Sequence, residues 1–211
     1  MTGTEIGEHM DRTTPGLGGC SQMLRCAAVL LLLLAFALPA MAQAVDPALR
    51  GHGGPIRSMA VLGGGRTLVT GGFDSAIIVW DIERGTATRV LRFHNSAVTA
   101  LLALGRDCFA SGGEDARIAV WCGTGGTSPV RVTEGHQAPI AALSGGGVAG
   151  FMASSSWDGQ VRVWLFDPAN PTTAAEAPRS LVGVEHKAPV NGLAWVEAGR
   201  RLVTAKQTLP A

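Results

Sequence analysis

Residues 71–81 read GGFDSAIIVWD, and nearly the same phrase returns as GGEDARIAVWC at 112–122 and as SSWDGQVRVWL at 155–165. The tryptophans near the ends of these phrases stand 41 and 43 residues apart. An aspartate lies six residues before each tryptophan and a hydroxyl residue four residues before each aspartate, giving three aligned sets: Thr70, Asp74 and Trp80; Ser111, Asp115 and Trp121; Ser154, Asp158 and Trp164. A period of this length indicates that one supersecondary unit recurs along the chain.

Histidines keep the same phase as these units. His52, His94 and His136 each precede one unit, and His186 opens a fourth; the text after them recurs as HGGPI, HNSAV, HQAPI and HKAPV. Within the first unit, TLVTGG (67–72) and AIIVWDI (76–82) are rich in β-branched residues and enclose the turn formers Asp and Ser. Each unit is therefore predicted to contain a β-hairpin with its aspartate in the turn.

The repeats resemble the WD-repeat family, whose members fold into β-propellers, and the likeness is to its exported bacterial type. It covers residues 51–205, with Gly-His at 51–52 and 135–136; Trp-Asp survives at 80–81 only, with Trp-Cys at 121–122 and Trp-Leu at 164–165. In such proteins each repeat supplies four strands. We therefore expect an all-β fold, a partial β-propeller of three to four four-stranded blades, preceded by a signal-peptide helix.

The resemblance implies a structural role for the recurring polar residues. In the family, the histidine, the hydroxyl residue, the aspartate and the tryptophan form a buried hydrogen-bonded chain, here three tetrads beginning at His52, His94 and His136, with His186 opening a fourth. Ser, His and Asp together also suit a catalytic triad, and histidines suit a metal site. A catalytic set occurs once, whereas these residues occur in every unit, which favours bracing of the blades over catalysis or metal binding.

Two departures from the family pattern carry expectations of their own. The family often has glycine after the turn aspartate, but only Gly159 follows this rule; the turns with Ser75 and Ala116 are expected to be slightly strained or of another type. The third unit is lengthened by FDPANPTTAAEAPRS (166–180), which is predicted to be a surface loop.

The first 42 residues are predicted to be a leader with a signal peptide. Its apolar core, AAVLLLLLAFAL (27–38), follows Arg25 and is shorter than the roughly 20 residues of a membrane-spanning helix. Cleavage is expected after Ala42, so the mature protein is exported to the periplasm or exterior, keeps no stable membrane span and starts with a short linker, 43–50. A buried core helix is the alternative for the apolar run, and Met23 is the favoured start of translation.

The fourth unit stops early. LAWVEAGRRLVTA (193–205) matches MAVLGGGRTLVTG (59–71), but the chain then reads KQTLPA (206–211), which we interpret as an aberrant tail of a fragment of a longer protein.

Cys108 and Cys122 lie seven residues on either side of Asp115. If the flanking strands pair around that turn, the two cysteines stand nearly opposite each other. An oxidising compartment permits a disulfide between them; two separate buried thiols are the alternative.

Composition narrows the function further. The formal net charge is +1, from 17 Lys+Arg and 16 Asp+Glu, so no nucleic-acid partner is expected. No metal, cofactor or catalytic residue is expected, and the glycine runs lack the Lys-Ser/Thr ending of a phosphate-binding loop.

The resemblance implies a non-catalytic protein-interaction scaffold. The alternative is the propeller part of a c-type cytochrome-linked electron-transfer protein with its haem domain elsewhere. The family's partner-binding positions precede the turn aspartate or begin the first strand, and here they are Arg57, Phe73, Glu114, Trp157 and Asn191.

Overall fold

A computed structural model describes residues 48–123, 125–145, 150–166, 184–196 and 201–207. Within these ranges every regular element is a β-strand. The leader, most of the linker and most of the third-unit insert lie outside the described residues. In the described part of the chain, no helix has the length and apolar character needed to cross a membrane.

The strands form three four-stranded antiparallel sheets, here called blades 1 to 3, and a two-stranded pair. Blade 1 contains β1 (Ile56–Leu62), β2 (Thr67–Gly72), β3 (Ala76–Asp81) and β4 (Thr86–Arg92). Blade 2 contains β5 (Val98–Ala103), β6 (Cys108–Gly113), β7 (Ile118–Cys122) and β8 (Arg131–Thr133). Blade 3 contains β9 (Ile140–Gly145), β10 (Phe151–Ser156), β11 (Gln160–Leu165) and β12 (Val184–Glu185). The pair is β13 (Val190–Val196) and β14 (Arg201–Lys206).

The third strands of blades 1 and 2 have buried apolar side chains on both faces. In β3, Ala76 to Trp80 are all buried, and in β7 Ile118 to Trp121 are all buried. A strand covered on both faces reads as a continuous apolar run instead of alternating with polar residues. This burial explains why AIIVW and IAVW are the most apolar stretches of their units.

Adjacent blades pack through their first strands, since β1, β5, β9 and β13 are successive neighbours. At each of the first two junctions a β-branched side chain meets a glycine of the preceding blade. A Cβ added to Gly71 would lie 2.5 Å from Cγ1 of Val98, and one added to Gly112 would lie 2.6 Å from Cγ2 of Ile140. The glycines therefore allow the sheets to approach closely, and Val98 and Ile140 are completely buried there.

The all-β prediction and the four-stranded blades are confirmed by this architecture. The predicted hairpin of 67–72 and 76–82 is formed by β2 and β3, with Thr70 opposite Ile78. Two boundaries differ from the sequence expectation. Lys206, assigned to the tail, pairs with Val190 and ends β14. Phe166, assigned to the surface insert, is buried because its ring packs into the core of blades 2 and 3. Its backbone N–H donates to the carbonyl of Gly150 at 2.6 Å.

Candidate functional site

In blade 1 the four recurring residues are brought together into one hydrogen-bonded chain. The indole N–H of Trp80 donates to the hydroxyl of Thr70 at 2.7 Å, and that hydroxyl lies 2.8 Å from Nε2 of His52. Nδ1 of His52 lies 3.0 Å from both carboxylate oxygens of Asp74. The carboxylate also accepts the backbone N–H groups of Gly53 at 2.7 Å and Ala76 at 3.2 Å. The chain thus connects β2, β3, the β2–β3 turn and the segment before β1.

Blade 2 repeats this geometry and adds a cation. Trp121 donates to the hydroxyl of Ser111 at 2.9 Å, Nε2 of His94 lies 2.9 Å from that hydroxyl, and Nδ1 lies 2.9 Å from Oδ1 of Asp115. Arg117 donates to Asp115 from Nε at 3.1 Å and from Nη2 at 2.9 Å, with its guanidinium 4.6 Å from the centre of the Phe93 ring. Asp115 therefore has more partners than its two counterparts.

Blade 3 keeps the same chain with a smaller set of contacts at the carboxylate. Trp164 donates to Ser154 at 2.8 Å, and Nε2 of His136 lies 2.7 Å from the same hydroxyl. Nδ1 of His136 reaches only Oδ2 of Asp158, at 2.8 Å, and the backbone N–H groups of Gln137 and Gln160 supply the other bonds. In the β13–β14 pair, Nε2 of His186 lies 3.2 Å from the hydroxyl of Thr204.

The polar environment keeps the carboxylates ionised. Burial by itself raises the pKa of Asp74, Asp115 and Asp158, but hydrogen bonds to the charged form outweigh it and hold each pKa below its ordinary value. The reduction is largest for Asp115, where His94 and Arg117 both contribute. Burial lowers the pKa of His136 despite the opposing effect of Asp158, so the neutral ring predominates at pH 7. A neutral ring with the proton on Nδ1 matches this arrangement, because the Ser154 hydroxyl then donates to Nε2.

The turn residue after each aspartate has a left-handed backbone in all three blades. Ser75 has φ 58°, Ala116 has φ 63° and Gly159 has φ 81°. The turns are of one type, and two of them place a non-glycine residue in a conformation that disfavours a Cβ. The strain expected at Ser75 and Ala116 therefore lies in their backbone conformation. The alternative, that these two turns differ in type from the turn with Gly159, is wrong.

A paired-glycine signal was missed by sequence reasoning. The hydrogen-bonded chain of histidine, hydroxyl residue, aspartate and tryptophan in each blade is called the brace here. Gly72 and Gly113 make room for it, because a Cβ on Gly113 would lie 2.5 Å from both Oδ1 of Asp115 and Nδ1 of His94. In blade 3 the equivalent residue is Ser156, whose hydroxyl donates to the carbonyl of Ala138 at 2.9 Å and accepts the N–H of Asp158 at 3.1 Å. The repeated GG at 71–72 and 112–113, replaced by SS at 155–156, was the available signal.

Cys108 and Cys122 are register partners on β6 and β7 and are joined by a disulfide. Their bond crosses blade 2 at the end of these two strands farthest from the Asp115 turn. It lies at the opposite end of the blade from the His94–Asp115 contact.

The predicted partner-binding residues differ in how accessible they are. Phe73 is 54 % exposed and Trp157 is 52 % exposed, each on the turn just before its brace aspartate. Arg57 and Asn191 are exposed, whereas Glu114 is partly buried and accepts a hydrogen bond from Ser96 at 3.0 Å. The N–H groups of Phe73 and Trp157 donate to the carbonyls of Pro55 and Pro139, which fixes the turns that present the two rings.

The chemistry available to the tetrads is limited by their own contacts. Both ring nitrogens of His94 and His136 are occupied, and Ser111 and Ser154 are fully buried. A nucleophile must reach its substrate, whereas these two hydroxyl groups are closed off from solvent and also accept the indole N–H groups of Trp121 and Trp164. Across the described ranges, no group of three His, Cys, Asp or Glu side chains is placed to hold a metal ion.

Comparison with known proteins agrees with the repeat architecture. Residues 46–81 and 127–164 match the family described as "WD domain, G-beta repeat". The chain is 29 % identical over 128 residues to an F-box/WD-40 repeat-containing protein of Arabidopsis thaliana, At5g21040, covering 55 % of this chain and 23 % of the relative. It is 27 % identical over 127 residues to the target of rapamycin complex subunit wat1 of Schizosaccharomyces pombe, covering 60 % of this chain and 38 % of the relative. It is 37 % identical over 57 residues to the F-box/WD repeat-containing protein sel-10 of Caenorhabditis elegans, covering 27 % of this chain and 10 % of the relative. The chain thus spans well under half the length of each of these relatives.

Proposed function

We propose that this WD-repeat protein is a non-catalytic scaffold that binds a protein partner with the aromatic end of its blades. That end, called here the aromatic rim, comprises Phe73 and Trp157 together with Arg57, Glu114 and Asn191. The observation that carries the proposal is the exposure of Phe73 and Trp157, 54 % and 52 %, on turns that hydrogen bonds hold in place.

Exposed aromatic residues on rigid turns have the properties of interface hot spots. Tryptophan and arginine are enriched among residues that dominate binding energy, and an aromatic ring loses little conformational entropy on binding. A turn of this type needs no aromatic residue at this position, because the brace contacts are made by Asp74 and Asp158 and not by Phe73 or Trp157. Leaving these rings in water is unfavourable unless a partner covers them.

The hydrogen bonds of the brace aspartates also support the scaffold proposal. A histidine and backbone N–H groups hold each of the carboxylates of Asp74, Asp115 and Asp158, so these carboxylates stabilise the fold. This arrangement stiffens the turns that carry the rim. Stiff turns reduce the entropy lost on binding.

A double substitution tests the rim. Phe73→Ser/Trp157→Ser removes both exposed rings, and Val90→Ser is the matched control because Val90 is an apolar residue, 47 % exposed, on the outer strand β4. Proteins cross-linked to the tagged wild-type chain in its native cell are quantified by mass spectrometry against both variants. We expect specific partners to fall at least tenfold with the double variant and to stay unchanged with Val90→Ser. Equal recovery of every partner with all three chains contradicts the proposal, provided that their melting temperatures agree.

We further propose that the protein is exported. The apolar run 27–38 supports this, as does the Cys108–Cys122 disulfide, because such bonds persist in oxidising compartments. The test fuses residues 1–50 to an alkaline phosphatase that lacks its own signal, with Leu32→Arg/Leu33→Arg as the control. We expect phosphatase activity with the natural leader and at least a tenfold loss with the control; activity from both, or from neither, contradicts export by this leader.

We also propose that β13 and β14 are half of a four-stranded blade. The three preceding sheets have four strands each, and Val203 on β14 remains 55 % exposed. Inserting a copy of residues 74–92 after Gln207 supplies two further strands. We expect a higher melting temperature than for a chain extended by a Gly/Ser segment of equal length; identical melting temperatures contradict the proposal.

A further inference from the structure

The end of the blades opposite the aromatic rim contains a cleft between blades 1 and 2 that shares only Trp80 with the predicted sites. Its volume is about 350 Å³, and it is formed by the β1–β2 and β5–β6 turns with parts of β3, β4 and the segment after β7. Antiparallel connectivity places these turns at the opposite end of the sheets from the β2–β3 and β6–β7 turns that carry Phe73 and Glu114. The cleft is therefore separate from the aromatic rim.

Hydrogen bonds within blade 2 and between blades 1 and 2 hold the walls of the cleft. Gly63 donates to the carbonyl of Arg106 at 3.0 Å, and Gly123 donates to the carbonyl of Asp107 at 3.0 Å. Nη1 of Arg89 donates to the carbonyl of Gly126 at 2.8 Å, which joins β4 to the segment after β7. The cleft is preformed by bonds that do not involve a ligand, as is usual for small-molecule and peptide pockets.

The cleft combines three guanidinium groups with an apolar floor. Arg66, Arg89 and Arg106 line it, and the buried side chains of Leu62, Val79 and Trp80 form its apolar part. The side chains of Arg66 and Arg106 are exposed and, among the residues that the structure describes, form no ion pair or hydrogen bond. Exposed charges without a partner lose little solvation when an opposite charge approaches them.

The two carboxylates in the cleft do not neutralise these arginines. Asp81 accepts Nη1 of Arg84 at 2.6 Å and the backbone N–H of Arg84 at 2.9 Å, so its charge is balanced by a fourth arginine. The Asp107 carboxylate is left against three guanidinium groups, and the cleft is net positive. Because the whole chain has a formal charge of only +1, this positive charge is a local feature.

We propose that this cleft binds an acidic segment of a partner polypeptide in which aspartate or glutamate alternates with an aliphatic residue. The guanidinium groups of Arg66 and Arg106 pair with the carboxylates, since arginine binds carboxylates in a bidentate manner. The aliphatic side chain covers the floor of Leu62, Val79 and Trp80. An inorganic anion makes no contact with an apolar surface, and a nucleic acid needs a broader positive surface than one cleft. The volume lies at the small end of ligand pockets, which suits a few peptide side chains.

The test is an NMR titration of the full-length, ¹⁵N-labelled protein with the peptide Ac-Asp-Leu-Glu-Leu-Asp-NH₂. The uncharged analogue Ac-Asn-Leu-Gln-Leu-Asn-NH₂ and inorganic phosphate serve as comparison ligands. We expect saturable shifts of the amides of residues 62–67 and 104–107 with the acidic peptide only. We expect Arg66→Gln and Arg106→Gln each to weaken binding at least fivefold, and the double variant at least twentyfold.

Arg92→Gln is the matched control because Arg92 is an exposed arginine at the other end of β4 from the cleft. It is expected to bind the peptide like the wild type. Raising sodium chloride from 20 to 500 mM is expected to weaken wild-type binding at least fivefold, a readout that needs no variant. The proposal is overturned by equal binding of the amide analogue, by equal displacement with phosphate at the same concentration, or by no binding to the wild type. Because the cleft and the rim are distinct surfaces, the Phe73→Ser/Trp157→Ser variant keeps peptide binding whatever its effect on the proposed partner.

Discussion

The sharpest prediction compares two adjacent serines on β10. Ser154 and Ser155 are both completely buried, yet their hydroxyl groups have opposite surroundings. Ser154 accepts the indole N–H of Trp164 at 2.8 Å and lies 2.7 Å from Nε2 of His136. The hydroxyl of Ser155 has no hydrogen-bond partner among the described residues. The same substitution to alanine is therefore expected to change stability in opposite directions.

The magnitudes follow from the groups that each change leaves unpaired. Ser154→Ala leaves a buried indole N–H and a buried imidazole nitrogen without partners, and each such group costs about 1–3 kcal/mol. Because the small volume removed adds little cavity cost, we expect the free energy of unfolding to fall by about 2–4 kcal/mol. Ser155→Ala removes a buried hydroxyl that makes no bond, so the free energy of unfolding is expected to rise by about 1 kcal/mol.

Urea unfolding followed by tryptophan fluorescence measures both effects. With an m value of about 2 kcal/mol/M, Ser154→Ala is expected to lower the midpoint by about 1–2 M and Ser155→Ala to raise it by about 0.5 M. Ser154→Thr is the rescue variant, because Thr70 makes the same two contacts in blade 1 at 2.8 and 2.7 Å. If the two alanine variants differ by less than about 0.5 kcal/mol, the reasoning that the tetrads brace the blades is refuted.

Four further predictions rest on other parts of the structure. Ala116→Gly is expected to raise the free energy of unfolding by about 0.5–1 kcal/mol, because Ala116 has φ 63°. Gly159→Ala is expected to lower it by more than about 2 kcal/mol, because Gly159 has φ 81° and a Cβ there would press against the carbonyl of His186. Chemical denaturation of both variants tests the turn. Gly112→Ala is expected to cost about 1–3 kcal/mol, because its Cβ would lie 2.6 Å from Ile140, while Gly125→Ala, with no atom within 4 Å, is expected to leave the melting temperature unchanged; equal effects contradict the close approach of blades 2 and 3. The free energy of unfolding is expected to decline as the pH falls below about 6.5, because the pKa of His136 is lower in the folded than in the unfolded chain. It is expected to decline more steeply below about 4, because the pKa values of Asp74, Asp115 and Asp158 are depressed in the folded chain. Asp115→Asn is expected to flatten the acidic part of a pH series of urea midpoints, and an unchanged slope counts against the role of this carboxylate. Reduction with dithiothreitol is expected to lower the free energy of unfolding by about 1–3 kcal/mol, because the Cys108–Cys122 bond closes a loop with a sequence separation of 14; Cys108→Ala/Cys122→Ala is the control and is expected to show no response to the reductant.

The repeat period determined the architecture from sequence alone. A period of 41–43 residues with β-branched runs on both sides of a turn aspartate leaves little choice but four short strands per unit. The resemblance to WD repeats implied the tetrads, and the shared phase of His52, His94 and His136 favoured a structural role for them, because a catalytic set occurs only once. The tetrad residues of blade 2 lie outside the two matching segments of the family comparison, yet the same contacts join His94, Ser111, Asp115 and Trp121.

Tertiary structure alone decided which of these similar residues differ in energy and exposure. Ser154 and Ser155 are adjacent and both buried, yet only the hydroxyl of Ser155 lacks a partner among the described residues, and Phe73 and Trp157 are exposed whereas Glu114 is partly buried. The cleft of Arg66, Arg89 and Arg106 could not be recognised in the sequence, since these residues lie on three elements from two blades. A repeat pattern specifies the contacts inside one unit, where neighbours in sequence are neighbours in space. Contacts between units depend on how the sheets are stacked, and stacking is set by side-chain packing across the whole fold.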